Sequence, residues 1–215
     1  EISILYRASD ERYEAAYREL AAAFPAVSWL RQGAHPHKDF KPLLLQALRS
    51  FSSPYVLFAV DDIVVKDFVN LSECTEWLQK TGAFGFYLRL GTHIRHCYMA
   101  NEPQAIPPHL PLPSDLLAWD FRAAKHDWAF AGTLDMAIYR KADVLPVFEK
   151  LQFKHPNRLE QAWAGHGVTK EIGLCFATSK IVNLPLNIVN PSDCPHSHFL
   201  TAEELLSKWS EGLKM

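Results

Sequence analysis

An unbroken apolar run, Tyr55-Val56-Leu57-Phe58-Ala59-Val60, leaves the chain few ways to fold around it. A strand with one wet face alternates apolar with polar residues. This run does not alternate and is rich in strand formers, so it reads as a strand covered on both faces, as in a parallel α/β sheet. It is far too short to span a bilayer. The preceding residues supply the rest of such a layer. Ile2 to Tyr6 suits a buried strand, and Asp10 caps a helix to Ala23, with Tyr13, Ala16, Tyr17 and Leu20 at helical spacing. Pro25 stops that helix and Val27 to Leu30 makes a second strand. Phe40, Leu43, Leu44, Ala47 and Leu48 then share one side of a helix from Asp39 to Ser50. The first half is thus an α/β layer of the nucleotide-binding type.

After the run, Leu71 to Lys80 reads as helix and Ala83 to Leu88 as a further apolar strand. Residues 101–118 hold Pro103, Pro107, Pro108, Pro111 and Pro113. That density forbids helix and sheet interior alike, so a long functional loop is expected there. Strand and helix resume with Met136 to Tyr139 and Ala142 to Leu151. A short helix from Asn157 to Ala164 and strands at Leu174 to Ala177 and Ile181 to Leu184 follow. Thr201 with Glu204 fits a capping box that opens a last helix towards Trp209. No repeat, linker or low-complexity tract divides the chain, and a single domain is the simplest partition.

Composition removes several alternatives. Of 215 residues, 48% are hydrophobic and 21% charged, as in ordinary globular chains. Lys and Arg number 22 against 24 Asp and Glu, a formal net charge of -2, so no nucleic-acid partner is expected. The nine glycines form no GxGxxG or P-loop, which counts against dehydrogenases and kinases. Cysteines 74, 97, 175 and 194 form no CxxC pair. They read as mostly buried thiols in a reducing compartment, the cytoplasm, with attachment to a membrane surface left open.

The chemistry concentrates at Asp61 and Asp62, directly after the apolar run. Ligands of open α/β sheets bind at the carboxyl ends of the strands. Two adjacent carboxylates repel each other there and call for compensation. A divalent cation, Mg²⁺ or Mn²⁺, provides it by taking one or two carboxylates together with phosphate oxygens. The plainer alternative is that both residues cap a turn or the next helix.

At this point the chain resembles the GT-A-fold glycosyltransferases, particularly the family-two-like group of nucleotide-diphospho-sugar transferases. The likeness rests on Ile4-Leu5-Tyr6-Arg7-Ala8-Ser9, Asp39-Phe40-Lys41 and the run ending in Asp61-Asp62. Asp127-Trp128, His155-Pro156-Asn157-Arg158-Leu159-Glu160 and Ile181-Val182-Asn183-Leu184-Pro185-Leu186-Asn187 extend it over most of the chain. The resemblance implies an α/β, GT-A-like (Rossmann-type) single domain with a mixed, mostly parallel sheet flanked by helices. Residues 1–90 would form its nucleotide-sugar-binding half and 91–215 its acceptor-side half. It implies an inverting glycosyltransferase that moves sugar from a nucleotide-diphosphate donor to a hydroxyl of a carbohydrate or glycoconjugate acceptor, with Mn²⁺ or Mg²⁺.

The same resemblance assigns roles. Tyr6, Arg7 and Ser9 border the base and ribose, and Lys41 lies on the base or diphosphate side. Asp61 and Asp62 face ribose, metal and diphosphate, while His198 or His196 adds a late metal ligand. Asp127 or Glu160 is the general base that deprotonates the acceptor hydroxyl. The proline-rich loop 101–118 reads either as a lid that keeps water from the site or as a rigid surface connection. Two departures stand out: Val60 and Ile63 occupy positions that a three-acid motif would fill, and the QxxRW of processive polymer synthases is missing.

Several of these residues also have plainer readings. Glu160, three residues after Asn157, fits a helix cap; Asp127 fits a local turn; Trp128 fits a core position as well as a sugar platform. The clusters His35-Pro36-His37, His93-Ile94-Arg95-His96-Cys97 and Cys194-Pro195-His196-Ser197-His198 lack the ligand spacing of a zinc centre. Two rival functions remain: a sugar nucleotidyltransferase, which would want a glycine-rich loop near Tyr6, and a non-catalytic sugar-, nucleotide- or partner-binding member of the fold.

Overall fold

The computed structural model describes residues 1–184 and, beyond them, Glu204, Ser207, Lys208 and Glu211. In chain order its elements are β1 (Ile2–Tyr6), α1 (Glu11–Ala23), β2 (Val27–Arg31), α2 (Pro36–Ser50), β3 (Tyr55–Leu57) and β4 (Ile63–Val65). Then come α3 (Leu71–Thr81), β5 (Gly85–Tyr87), β6 (His96–Cys97), β7 (Glu102–Pro103), β8 (His109–Leu112) and β9 (Leu116–Asp120). Finally, β10 (Ala137–Arg140), α4 (Lys141–Lys150), α5 (Pro156–His166), β11 (Ile172–Phe176) and β12 (Ile181–Asn183) complete a mixed α/β chain. His196, His198, Cys194 and the cap residue Thr201 lie outside the described residues. The chain groups into two compact units, residues 1–57 with 139–169, and residues 58–138 with 170–215.

In the first unit β1 and β2 pair in parallel, from Ile2 opposite Val27 to Tyr6 opposite Arg31. Asp10 caps α1 as its sequence position predicts, its carboxylate accepting from the Arg12 and Tyr13 amides at 2.9 and 3.4 Å. α2 starts at Pro36, ahead of Asp39, because a proline's fixed φ and missing N–H suit a first helical turn. Phe40, Leu44, Leu45, Ala47 and Leu48 are its buried residues. Phe40 meets Phe153 at 6.0 Å, and Phe148 meets Trp163 at 4.7 Å, so α2, α4 and α5 share an aromatic core. β3 is the neighbour of β10, and the Lys141 amide donates to the Pro54 carbonyl at 2.8 Å.

In the second unit β10, β5, β11, β9 and β8 follow one another in the largest sheet. β5 and β11 are parallel, whereas β11–β9, β9–β8 and the separate β12–β4 pair are antiparallel. The sheet is therefore mixed, as expected, with antiparallel pairing on its β9 and β8 side. The short link between β8 and β9 makes that pair antiparallel, since a parallel pair would need a long crossover. Ser114 and Asp115 take left-handed φ values of 62° and 59° in that link. Trp119 packs edge-on against Trp128 at 5.0 Å and donates its indole N–H to the Trp128 carbonyl at 2.8 Å. Trp128 is thus a core residue. Gly173 faces this cluster, where an added Cβ would lie 2.6 Å from Trp119.

Two expectations need correction. The apolar run makes a strand only to Leu57: Phe58 is buried, but Ala59 is exposed and the chain then turns through Asp61 and Asp62 into β4. Paired aspartates favour a turn more than they extend a strand. Residues 101–118 are not a structureless lid. They contain β7 and β8 and enter β9, whose Leu116 and Leu117 are buried. Proline is accepted in β8 because β8 ends the strand order, where a missing N–H removes no ladder bond.

Among the described residues no helix is long and apolar enough to cross a membrane. Cys74, Cys97 and Cys175 are free and buried, as composition suggests.

Candidate functional site

The turn that carries Asp61 and Asp62 is fixed from its far side. Leu184 donates its amide to the Asp62 carbonyl at 2.8 Å, and the β12–β4 ladder sets Asn183 opposite Ile63, next to Asp62. Asn183 in turn hydrogen-bonds the side chain of Asp135. Asp135 immediately precedes Met136, whose carbonyl accepts from the Leu88 amide at 3.1 Å, so Asp135 comes beside Arg89. β5, β12 and the start of β10 thereby bring residues distant in sequence to one place in the second unit.

Arg89 organises the acids. Its guanidinium is 3.2 Å from Asp127 and 3.9 Å from Asp135. Asp127 is also held by Gln104, which is 4% exposed: the Gln104 amide donates to Oδ2 at 2.9 Å, and the Asp127 backbone N–H donates to Gln104 Oε1 at 3.2 Å. Both oxygens of Asp127 are therefore engaged, one by Arg89 and one by Gln104.

Asp62 has no such support. Among the described residues its buried Oδ1 has no hydrogen-bond donor, and neither has the buried Oδ1 of Asn183. Burial, with the charges of Asp135 and Asp61 adding to it, pushes the Asp62 carboxyl up to about 6. Burial also raises the Asp135 carboxyl, against the lowering influence of Arg89 and Asn183, while Asp127 adds to the rise. Two acceptor oxygens without donors, beside crowded carboxylates, are what an oxygen-seeking divalent cation relieves. Among the described residues no three His, Cys, Asp or Glu side chains gather as a metal centre. The fit is accordingly to a cation held by one or two carboxylates and an amide oxygen, its remaining positions open to phosphate and water.

The residues predicted in the first unit are placed as follows. The Tyr6 ring packs on Tyr17 at 4.0 Å and on Trp29 at 6.1 Å. Arg7 and Ser9 are exposed beyond the end of β1. Lys41 donates its ammonium to the carbonyls of Glu149 and Leu151, at 3.0 and 2.6 Å, closing the C-terminal end of α4. Glu160 is half-buried on α5, which starts at Pro156, so the cap expected from Asn157 and Glu160 does not form. His93 meets Ser179 at 3.1 Å, and His35 is the N-cap of α2.

Sequence reasoning missed Asp135, Arg89, Gln104 and the side-chain role of Asn183. One signal was available: Arg89 interrupts Leu88 and Leu90, both 2% exposed or less, and a charge inside so apolar a stretch asks for a partner.

No family model matches this chain. In sequence it is similar to the bifunctional glycosyltransferase pgtA of Dictyostelium discoideum, 26% identical over 177 residues. The match covers 74% of this chain and 22% of that protein, so the chain spans less than a quarter of its relative's length.

Proposed function

We propose that the chain is a GT-A-like glycosyltransferase domain that uses a nucleotide-diphosphate sugar and a divalent cation, Mn²⁺ or Mg²⁺. The carrying observation is the buried Oδ1 of Asp62, without a donor among the described residues, in a turn crowded by Asp61 and Asp135, with a second such oxygen on Asn183 across the β12–β4 ladder. The similarity to a glycosyltransferase supports the same reading. Asp62, with Asp61 and the Asn183 amide oxygen, would hold the cation, which supplies charge neutralisation for the departing diphosphate.

In this reading Asp135 takes the place that the resemblance gave Asp127, because Arg89 and Gln104 occupy both Asp127 oxygens. The acceptor hydroxyl gives its proton to the Asp135 carboxylate as its oxygen attacks the anomeric carbon. The bond from that carbon to the diphosphate breaks, and the nucleoside diphosphate leaves with the electron pair. Attack opposite the leaving group inverts the anomeric centre. Asp127 acts as a positioning residue, holding Arg89 against the acids. The acceptor is a carbohydrate or glycoconjugate hydroxyl.

Thermal unfolding with UDP, GDP, CDP and dTDP, each with Mn²⁺ and then with EDTA, tests this directly. A ligand at ~100 times its dissociation constant stabilises the folded state by about 2.7 kcal/mol. The expected result is a shift with one diphosphate that needs the metal and disappears in Asp62→Asn. No shift with any diphosphate, or an equal shift in Asp62→Asn, sinks the assignment.

A further inference from the structure

We infer that the first unit carries a separate cationic cleft that binds a phosphate group without a metal ion. The inference does not rest on the sugar-transfer reading. The cleft lies where β1 and β2 end and α2 and α5 begin, and holds about 210 Å³. Leu5 and Phe40 line it with apolar surface, Arg7, His37, Lys154 and His155 make it basic, and among the described residues no acid lines it.

Gathering cations without an acid costs the fold electrostatic energy unless something anionic enters. Among the described residues neither Arg7 nor Lys154 forms an ion pair or hydrogen bond through its side chain. Both are exposed, so neither is held by packing. Asp39, the acid of the first turn of α2, is committed elsewhere, its Oδ2 accepting from the Gly33 amide at 2.8 Å. The His37 and His155 rings approach edge to face at 6.1 Å within the same lining, and imidazole N–H groups are hydrogen-bond donors to phosphate oxygens.

The backbone adds to this charge. Pro36 and Pro156, which line the cleft, are the first residues of α2 and α5, and no side chain caps either helix. First-turn amides and the positive ends of two helix dipoles thus border the same space as the four basic side chains.

Size narrows the ligand. Pockets that enclose a whole small molecule run from about 300 to 1,000 Å³. This cleft is smaller, and matches one phosphate group or a small phosphomonoester, not an entire nucleotide sugar. Arg7 accordingly serves a phosphate instead of the base and ribose. Inorganic phosphate, a phosphomonoester and the terminal phosphate of a nucleotide share the recognised chemistry.

The test is NMR titration of the whole chain in EDTA, following the ring signals of His37 and His155. Three parallel arms use inorganic phosphate, glycerol phosphate and UDP. The expected result is a saturable shift of both rings, with the tightest arm naming the source. The double variant Arg7→Gln/Lys154→Gln should bind at least tenfold more weakly, while Lys38→Gln and Asp62→Asn bind as the parent does. Absence of a saturable shift in all three arms overturns the inference. So does a shift that survives Arg7→Gln/Lys154→Gln, or one that Asp62→Asn abolishes. Failure of Asp62→Asn to affect the metal-dependent shift described above would remove the transferase reading and leave this site standing.

Discussion

Arg89 closes on Asp127 at 3.2 Å and leaves Asp135 at 3.9 Å, so one guanidinium serves two carboxylates unequally. Asp127 is ion-paired and hydrogen-bonded, whereas burial raises the Asp135 carboxyl. The two acids are near each other yet fitted for different work.

That pairing sets the first prediction. The side chains of Arg89 and Asp127 are only 21% and 14% exposed, so removing one partner strands the other. Arg89→Met should cost about 3–5 kcal/mol in urea unfolding. Adding Asp127→Asn to it should recover part of the loss, because the stranded charge is gone. A loss below about 1 kcal/mol in Arg89→Met would place the pair with weak surface contacts instead.

Asp62 predicts a pH dependence. Its folded carboxyl titrates near 6, above the ordinary 3.8, so the folded state binds the proton more tightly than the unfolded state. Its ionised form therefore weakens the fold above pH 6, and that penalty fades as the pH falls towards 3.8. The side chain is partly open to solvent, which screens the effect to about 1 kcal/mol. Without metal, Asp62→Asn should be the more stable protein at neutral pH, with the gap closing at acid pH. Equal melting profiles for both proteins across this range would contradict the crowding of Asp62.

Lys41 predicts a stability effect. Its ammonium holds two carbonyls at the end of α4. Lys41→Met should lose about 1–3 kcal/mol in chemical denaturation, as charged hydrogen bonds do, and leave nucleoside diphosphate affinity unchanged. A fall in that affinity without a fall in stability would return Lys41 to the ligand.

Gly173 predicts strain. An added methyl group would lie 2.6 and 2.7 Å from Trp119 and 2.9 Å from Phe121. Gly173→Ala should destabilise by about 1–3 kcal/mol, with near-ultraviolet dichroism showing a rearranged Trp119. An unchanged melting temperature would mean that the Trp119 ring is free to move aside.

What could be read from the sequence divides along a physical line. Asp10 before an amphipathic stretch and the spacing of Phe40, Leu44 and Leu48 are local signals, and the structure reproduces both. Tyr55 to Val60 was over-read because burial continues to Phe58 after the strand has ended at Leu57. The acidic turn was visible as Asp61-Asp62. The support around it was not: Arg89, Asp135 and Asn183 meet only through β5, β10 and β12, and no local pattern encodes that meeting. Lys41 likewise meets the end of α4 through a contact between distant residues that no local pattern encodes.

The hairpin of β8 and β9 has a consequence for the molecule's company. Among the described strands β8 stands at the end of its sheet, and an edge of unpaired peptide groups invites a strand from another chain. Pro111, with Pro107, Pro108 and Pro113 close by, interrupts the row of donors that such a visitor would read. Proline density here acts as a seal against edge-to-edge growth, sparing a sheet with an exposed Leu110 on its rim from becoming the seed of a fibril.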